Sequence, residues 1–336
     1  MKAIVQEKYG SPDDLELREI DKPAIGDDEV LVRVRAASVH PDVWHVLTGL
    51  PYVLRMMGAG LRKPKNPVPG TDLAGVIESV GKKVTRFGPG DEVFGETLKG
   101  MQWINGGAYA EYATAPEDAL ALKPANLTFE EAAAVPTSAL IALPSLRAGG
   151  GIQAGQKVLV NGAGGGVGAF AVQLAKAFGA DVTGVDCTSK LDMVRSIGAD
   201  QVIDCTQEDF TRRDERYDLI FDIPGNHSLS ACRGALKPTG TYVLIGHDNY
   251  GKGMRRWVGL LPRMLKLMAM SRFVSQLPEV GRPRPSKQES MALLKELLES
   301  GKLTPHIDRT YPLSQVPEAI CYLREGQAKG KIVITV

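Results

Sequence analysis

The first 120 residues alternate short apolar runs with turn-forming residues. In EVLVRVRAASV, residues 29–39, Val30, Val32 and Val34 alternate with Leu31, Arg33 and Arg35, the two-residue period of a strand with one buried face. Comparable runs are KAIVQEK, LELREI, LAGVIESVG, DEVFGE and AYAEYATAP, and clusters such as KNPVPG and RFGPGDE interrupt them. Short strands separated by Gly/Pro turns predict a compact antiparallel barrel or sandwich.

From Thr128 onward the period changes. Thr128 and Glu131 have the spacing of a capping box at the start of a helix. Strands and helical segments then alternate: KVLV, VGAFAVQLAKAFG, DVTGVD, KLDMVRSIG, QVID, YDLIFD, SLSACRGALK and TYVLIG. The helix after KVLV carries one apolar stripe and ends before Gly179; the stripe consists of Val167, Phe170, Ala171, Leu174 and Phe178. Unbroken apolar strands joined by amphipathic helices indicate a parallel sheet covered on both faces.

These patterns predict an α/β protein of two domains, which suits 336 residues. The first domain is predicted at residues 1–122 and the doubly wound domain at residues 123–300. The closing strands IDRTYPL and GKIVITV, within residues 301–336, are predicted to return to the first domain, which is then split in sequence.

Composition narrows the class of partner. Forty basic and 39 acidic residues leave a net charge of +1, so no global field attracts nucleic acid or an anionic membrane, and we expect a small-molecule partner. The N-terminal stretch MKAIVQEKYGSPDD reaches charged residues before the apolar core of a signal peptide can form, and no later run approaches the roughly 18 apolar residues that a membrane span needs. The four cysteines are scattered without a CxxC pair, which predicts a reducing, cytoplasmic setting.

A glycine-rich turn, NGAGGGVG at residues 161–168, follows the strand KVLV directly and opens the next helix. Such a turn brings the backbone close to a pyrophosphate and presents helix N-terminal amides to its charge. We therefore predict cofactor contacts at Gly162, Ala163, Gly165, Gly166, Val167 and Gly168. The alternative is a tight turn that binds nothing.

Asp186 ends the next strand, where a carboxylate can accept hydrogen bonds from the adenosine ribose. Its charge favours NAD, whereas Thr188, Ser189 and Lys190 form a polar, basic loop that could hold the 2′-phosphate of NADP. The choice between NAD and NADP stays open. An alternative role for Asp186 is to cap the helix KLDMVRS.

The chain resembles the medium-chain dehydrogenase/reductase superfamily, and within it the zinc-free, quinone-oxidoreductase-like branch. The motifs are EVLVRVRAASV, PGTDLAGVIESVG, RFGPGDEVFG, GGAYAEYA, KVLVNGAGGGVGAFAVQLAKAFGA and GKIVITV, over essentially the full length. The resemblance implies a GroES-like β-barrel catalytic domain around a Rossmann domain, and NAD(P)H-dependent hydride transfer to quinones or α,β-unsaturated carbonyls in a homodimer. It also implies cofactor contacts at Thr137, Gly246 and Lys331.

Zinc-containing relatives place their catalytic ligands at three positions that can be located here. The first is occupied by His40, the second falls in Gly70, Thr71 and Asp72, and the third lies nearest Thr137. One possible ligand out of three does not hold zinc, and MQWINGGAYAEY lacks the cysteines of the structural zinc lobe. We predict no metal; the alternative is a different metal bound by His40, His45 and Asp72.

Without a metal, an enolate or phenolate oxygen needs only hydrogen-bond donors. We predict His40, Tyr52 and Thr71 as the catalytic or substrate-contacting residues. His40 has the alternative of capping its strand, and Tyr52 that of a core residue. Trp44 is a further candidate donor, His45 is expected to be structural, and Asp72 is expected to fix a turn rather than relay protons.

Two other functions compete with a quinone or enone reductase. One is an alcohol or aldehyde dehydrogenase without the usual zinc site, and the other is a catalytically silent dinucleotide-binding protein. The segment KGMRRWVGLLPRMLKLMAMSR, residues 252–272, is expected to form a lid or a subunit contact, with membrane-surface binding as the alternative.

Overall fold

The computed structural model describes residues 1–98, 104–148, 150–246, 255–259, 261–278 and 285–336. Two predictions fall partly outside these ranges: the cysteine-free segment that begins at residue 101, and the segment 252–272. Within the described ranges no helix is long and apolar enough to cross a membrane.

One sheet is built mainly from the N-terminal part of the chain. Its path runs β13-β14-β3-β4-β5-β7, and β6 pairs with β3. The bounds are β3 (Glu29–Val39), β4 (Asp72–Val80), β5 (Glu92–Glu96), β6 (Tyr112–Pro116), β7 (Leu120–Leu122), β13 (Ile307–Pro312) and β14 (Lys331–Thr335). All of its pairs are antiparallel except β13 with β14. A separate hairpin joins β1 (Lys2–Gln6) and β2 (Leu15–Glu19).

The second sheet is parallel throughout, in the order β10-β9-β8-β11-β12. Its strands are β8 (Lys157–Asn161), β9 (Asp181–Asp186), β10 (Gln201–Asp204), β11 (Tyr217–Asp222) and β12 (Leu236–Leu244). The chain order reverses between β8 and β11, and ligands bind at such switch points in open α/β sheets. The predicted α/β class, with a mainly antiparallel sheet from the N-terminal part and a doubly wound parallel sheet, is confirmed.

The helices lie between and around the sheets. They are α1 (Asp42–Thr48), α2 (Phe129–Ala133), α3 (Pro136–Leu146), α4 (Gly166–Ala177), α5 (Leu191–Ser196), α6 (Leu229–Gly234), α7 (Arg255–Val258), α8 (Leu261–Met270), α9 (Lys287–Glu299) and α10 (Val316–Arg324). The capping box of Thr128 and Glu131 is present. It opens only the short α2, because the chain turns before Pro136 begins α3.

The apolar cores follow the sheets. Val32, Leu73 and Ile332 belong to one buried cluster, so the closing strand β14 shares the core of the first sheet. Phe170, Leu174 and Val160 belong to another, between α4 and the parallel sheet. Helix α4 is buried from Val167 to Ala175 rather than along one stripe, because α3 covers its other side. The predicted domain boundaries after residues 122 and 300 stay predictions.

Candidate active site

The glycine-rich turn lies at the carboxyl end of β8, beside the point where the strand order reverses. Gly162 has φ +84°, a left-handed conformation that side chains other than glycine rarely adopt. The amides of Gly162 and Ala163 donate to the carbonyl oxygen of Val185 at 2.9 and 3.0 Å. These bonds fix the turn to the neighbouring strand β9.

Helix α4 packs directly on this turn. A Cβ on Gly168 would lie 2.0 Å from the carbonyl oxygen of Gly162, so only glycine permits the approach. Gly165 is the N-cap of α4 and makes no side-chain cap. The amides of Gly166, Val167 and Gly168, which have no intrahelical acceptor at a helix start, therefore present partial positive charge to an anion.

Asp186 ends β9 next to the turn. Its Oδ2 accepts from the amide of Gly164 at 2.7 Å and its Oδ1 from the amide of Cys187 at 2.8 Å. A carboxylate has about four acceptor sites, so capacity remains for ribose hydroxyls. The alternative of a cap for α5 is wrong, because Lys190 is the N-cap of that helix.

Thr188 and Lys190, in the loop after Asp186, are the two predicted contacts for a 2′-phosphate, and the structure places their side chains apart. Lys190 is 8% exposed, and its Cβ would lie 2.8 Å from a Cβ on Gly164, so its stem packs on the turn. The Thr188 hydroxyl instead donates to Asp204 and lies 3.2 Å from the hydroxyl of Thr206. Only Lys190 of this pair is brought to the glycine-rich turn.

Gly246 follows β12 at the same edge of the sheet, where its amide donates to the carbonyl oxygen of Ile223 at 3.1 Å. Two residues near it, Asp222 and Tyr242, were missed in the sequence. Asn161 Nδ2 donates to Asp222 Oδ1 at 2.9 Å, and the Tyr242 hydroxyl donates to Asp222 Oδ2 at 2.8 Å. Burial, followed by the charge of Asp222, raises the pKa of Tyr242. The available signal was an acidic residue at the end of the apolar run YDLIFD.

His40 lies just after β3, at the wall of a small cavity. The residue is 6% exposed, and its Nδ1 is 3.3 Å from the amide nitrogen of Asp42, from which it accepts a hydrogen bond. Its buried Nε2 has no hydrogen-bond partner among the described residues. His40 Nδ1 also lies 3.2 Å from Asp42 Oδ2. In the tautomer in which Nδ1 accepts from the Asp42 amide, Nε2 carries the proton and can act as a donor. Both predicted roles of His40 are therefore compatible with its position.

The cavity has a volume of about 10 Å³, close to the smallest that holds one water. Its lining includes His40, Thr71, Asn105 and Tyr109. Burial raises the pKa of Tyr109, and the negative charge of Asp72 raises that pKa further. The structure thus brings together two of the three predicted catalytic residues, His40 and Thr71.

The third, Tyr52, is not in this lining. Its ring packs edge-on against Trp257, with 5.1 Å between the ring centroids, and its amide donates to the carbonyl oxygen of Arg256 at 2.7 Å. Tyr52 joins the segment before β4 to α7. His45 Nδ1 lies 2.7 Å from the carbonyl oxygen of Leu50, the structural role that was expected of it.

Asp72 belongs to a fully buried polar network, so the expectation that it fixes a turn is wrong. It is the first residue of β4 and is 0% exposed. Its Oδ2 accepts from the Ser38 hydroxyl at 2.9 Å, and its Oδ1 accepts from the Thr137 amide at 3.2 Å. The Thr137 hydroxyl also contacts Asp72 Oδ1. The polar side chain of Asp72 stays buried because partners from β3 and α3 satisfy it.

A second buried carboxylate, Glu96 at the end of β5, completes this network and was missed in the sequence. It is 1% exposed, its Oε1 lies 2.8 Å from the Thr137 hydroxyl, and its Oε2 lies 2.6 Å from Lys287 Nζ. The signal was a glutamate that ends the apolar strand VFG. Its partners, on α3 and α9, are far away in the sequence, which explains why the pattern did not reveal them.

Lys331 connects the network to the glycine-rich turn. Its Nζ lies 3.6 Å from Asp72 Oδ2 and donates to the Ser138 hydroxyl at 3.2 Å, while its Cδ would lie 2.9 Å from a Cβ on Gly166. Burial lowers the pKa of Lys331, and Asp72 opposes that shift. The predicted cofactor contacts Thr137 and Lys331 therefore lie between the turn and the cavity.

The residues at the zinc positions of relatives do not fit a zinc ion. Asp72 and Thr137 are hydrogen-bonded to each other, and Lys331 already supplies positive charge beside Asp72. Across the described ranges, no group of three His, Cys, Asp or Glu side chains is placed to hold a metal. The alternative site of His40, His45 and Asp72 is wrong, because these side chains do not converge.

The parallel sheet with its glycine-rich turn, next to a polar cavity beside β3 and β4, is typical of dinucleotide-dependent oxidoreductases. Two family models match the chain: an alcohol dehydrogenase GroES-like domain at residues 26–125 and a zinc-binding dehydrogenase at residues 197–334.

Named relatives narrow this class. The chain is 34% identical to a 2-methylene-furan-3-one reductase of Solanum lycopersicum and 32% identical to a chloroplastic NADPH-dependent alkenal/one oxidoreductase of Arabidopsis thaliana, each over 99% of this chain and 79% of the relative. The structure of the quinone oxidoreductase from Coxiella burnetii superposes with a TM-score of 0.81 at 27% identity, covering 100% of this chain and 99% of that one. The chain belongs to the medium-chain dehydrogenase/reductase superfamily and is an oxidoreductase of its quinone-oxidoreductase-like branch.

Proposed function

We propose that this protein is an NAD(P)H-dependent, zinc-independent reductase of quinones or α,β-unsaturated carbonyl compounds. The observation that carries the proposal is the position of Lys331, whose stem packs on Gly166 of the glycine-rich turn while its Nζ lies 3.6 Å from Asp72, beside Thr71 of the cavity. A dinucleotide held at the turn and an acceptor that meets the His40 and Thr71 wall of the cavity would thus be neighbours. The cavity, at about 10 Å³, has room for one water, so the acceptor would have to widen it. Relatives named as an alkenal/one oxidoreductase and a quinone oxidoreductase support the substrate class.

The cofactor would be held by backbone and side-chain groups of the second domain. Amides at the start of α4 would bind the pyrophosphate, Asp186 the ribose, and Gly246 and Thr137 would border the nicotinamide. When bound, the reduced nicotinamide supplies a hydride. Asp186 and the buried stem of Lys190 favour different cofactors, so the proposal covers both NADH and NADPH.

The protein's part in the reaction is to orient the acceptor and to donate hydrogen bonds to the oxygen that gains negative charge. His40 Nε2 and the Thr71 hydroxyl are the proposed donors, since both belong to residues that line one cavity. Tyr52 would act at a distance from them, as part of an apolar entrance with Trp257, which is 68% exposed. Such an entrance suits flat, apolar acceptors.

Zinc independence is proposed from the chemistry of the site. Hydrogen-bond donors suffice for a conjugated acceptor, whereas a simple ketone or alcohol generally demands stronger polarisation. Turnover is expected to stay unchanged after chelator treatment, and elemental analysis of the treated protein checks that it contains no zinc. Loss of turnover that zinc restores would contradict the proposal and favour an alcohol dehydrogenase.

We also propose a cytoplasmic homodimer with residues 1–122 and 301–336 as the catalytic domain and residues 123–300 as the dinucleotide domain. Among the described residues all four cysteines are free, in keeping with a reducing compartment. Light scattering is expected to give twice the 36.1 kDa of one chain, and cell fractionation tests the location.

Parallel oxidation assays test the function. NADH and NADPH are each supplied with 1,4-benzoquinone, 2-hexenal, hexanal or no acceptor. Cofactor oxidation with the first two acceptors, and little with hexanal, is expected. Turnover only with hexanal or an alcohol would establish the dehydrogenase alternative, and tight cofactor binding without any turnover would establish the silent dinucleotide-binding protein.

His40→Ala is the sharpest variant in this assay. Loss of one positioned donor is expected to lower kcat/KM for 2-hexenal by about tenfold, with little change in NADPH affinity. Unchanged turnover would leave His40 as the cap of its strand. His40→Ala also removes the contacts of Nδ1 with the amide and the carboxylate of Asp42, so denaturant unfolding of the variant is measured beside its turnover.

A further inference from the structure

A row of hydrogen-bonding side chains from α9, β5 and α3 runs from the surface to the cavity. It begins at Lys287, whose side chain is 28% exposed and whose Nζ lies 2.6 Å from Glu96 Oε2. Glu96 Oε1 lies 2.8 Å from the Thr137 hydroxyl. The Thr71 hydroxyl lies 3.5 Å from that of Thr137 and 3.4 Å from Asp72 Oδ1. Thr71 lines the cavity, so the row ends there.

The contacts of Thr137 set the number of protons in this row. A hydroxyl carries one proton, yet the Thr137 oxygen contacts a carboxyl oxygen of both Asp72 and Glu96. If Thr137 donates to Asp72, the contact with Glu96 needs a proton on Glu96, and the converse holds if it donates to Glu96. Both contacts are hydrogen bonds only when the three groups together hold one proton more than two ionised carboxylates and a hydroxyl would.

Burial keeps Asp72, Glu96 and Thr137 out of contact with bulk water. Asp72, Glu96 and Thr137 are 0%, 1% and 2% exposed. Lys287, which opens α9, is the member of the row that reaches the surface, and it is also tied to the carbonyl oxygen of Leu98 at 3.0 Å. Asp72 and Glu96 each face one lysine, Lys331 at 3.6 Å and Lys287 at 2.6 Å.

We propose that Glu96 and Thr137 form a proton relay that protonates the α-carbon of a reduced enone. The inference rests on the proposed function. Hydride addition to the β-carbon moves the two π electrons of the C=C bond into an enolate, which must gain one proton. The Thr71 hydroxyl gives its proton to the α-carbon and takes one from Thr137, which takes one from the Glu96 carboxyl. Lys287 returns a proton to Glu96 and is reprotonated by water.

The two acceptor classes separate a relay from a structural role. A reduced quinone takes its protons on oxygen, which exchanges freely with water, whereas an enolate carbon needs a positioned donor. Loss of the relay should therefore slow enone reduction selectively. A residue that only stabilises the fold would affect both acceptors alike.

The test compares Glu96→Gln with Glu92→Gln, the same change at the exposed start of β5, where Glu92 pairs with Lys123 at 3.1 Å. We expect Glu96→Gln to lower kcat with 2-hexenal about tenfold and to increase its solvent isotope effect in D2O. Turnover with 1,4-benzoquinone should stay within about twofold, and Glu92→Gln should match the wild type on both acceptors.

A second readout needs no turnover. The infrared spectrum of the wild-type protein should contain a buried neutral-carboxyl band that Glu96→Gln shifts or removes and Glu92→Gln leaves unchanged. If Glu96→Gln does not fold, Lys287→Met at the partly exposed end should lower 2-hexenal turnover selectively, by about threefold.

Equal losses with both acceptors, or an unchanged isotope effect, would overturn the relay, as would the absence of the carboxyl band. Failure of the wild type to reduce any conjugated acceptor would instead overturn the proposed function, and the infrared result would still decide whether Glu96 shares the extra proton.

Discussion

The glycine-rich turn and the buried network around Asp72 lie on either side of Lys331, but different forces hold them. The turn is shaped by backbone: a left-handed Gly162, amides bound to Val185, and a close approach that leaves no space for a Cβ at Gly168. The network is held by side chains from β3, β4, β5, α3 and β14 that satisfy one another's charges and hydrogen bonds. Substitutions in the turn should therefore destabilise the protein through steric clash, and substitutions in the network should do so by leaving a buried charge uncompensated.

The largest effect is expected from Gly168→Ala. The new Cβ would lie 2.0 Å from the carbonyl oxygen of Gly162 and 2.8 Å from Cα of Ala163, so the turn must move. We expect about 3 kcal/mol of destabilisation and about 100-fold weaker NADPH binding, measured by denaturant unfolding and by fluorescence titration.

Gly234→Ala is the matched control, since no described atom beyond its own helix and chain neighbours lies within 4 Å of a Cβ there. It should leave stability within about 0.5 kcal/mol of the wild type. An equally mild Gly168→Ala would show that the turn tolerates side chains, which would remove the contrast between the two regions.

Lys331→Met tests the network. The variant leaves Asp72 buried without its cation, which typically costs about 3 kcal/mol, as measured by urea unfolding. Lys83→Met is the control, because Lys83 and Asp27 form a similar pair at 3.7 Å with 74% and 56% of their side chains exposed. That variant should change stability by less than about 1 kcal/mol. Similar values for both lysines would contradict a network held by charge.

Asp186→Asn tests the edge of the glycine-rich turn, where a charged side chain accepts a hydrogen bond from a backbone amide. The amide oxygen can still accept from Gly164, but the negative charge that repels a 2′-phosphate is lost. The ratio of NADPH to NADH affinity should rise about tenfold, measured by parallel titrations. Asp204→Asn, one strand away, serves as the control; an unchanged ratio in Asp186→Asn would assign Asp186 to the turn alone.

The smallest expected effect is a pH dependence. Burial lowers the pKa of Lys331 below 10.5, so between its folded-state pKa and 10.5 the unfolded chain binds more protons than the folded chain. The free energy of unfolding contributed by Lys331 therefore rises with pH in that window, by at most about 1.4 kcal/mol per pH unit. Below the folded-state pKa this group adds no slope.

Urea unfolding from pH 7 to pH 10 measures this dependence, and subtraction of the Lys331→Met curve removes the other lysines. Lys8, Lys22 and Lys157 have pKa values raised above 10.5 by acidic partners. Their contributions to stability fall with pH only above about 10.5, outside this range, in both proteins. A flat difference curve would show that Lys331 keeps its proton at the same pH in both states.

The two regions also differ in how far the sequence predicts them. The turn is contiguous, and its strand, glycines and helix follow each other in residues 157–177, so local patterns sufficed. The Asp72 network joins residues 38, 72, 96, 137 and 331, which only the packing of α3 and the sheets brings together. Asp72 was consequently assigned to a turn and Glu96 was missed, whereas Thr137 and Lys331 came from a family resemblance.

The predicted catalytic residues also differ in whether local sequence patterns could place them. His40 follows β3 and Thr71 precedes β4. These two strands pair antiparallel, so the meeting of the two residues at one cavity follows from sheet register. Tyr52 lies in a long segment without period, whose contact with Trp257 depends on a distant helix. No local pattern could have placed that ring.

Product analysis with deuterated cofactor tests the central claim most directly. Metal content is measured on the chelator-treated protein, which then receives 2-hexenal and NADPH carrying deuterium at the transferred position. The account predicts hexanal with deuterium on its β-carbon. Formation of 2-hexen-1-ol, or no deuterium transfer to the aldehyde from either NADPH or NADH, would contradict it.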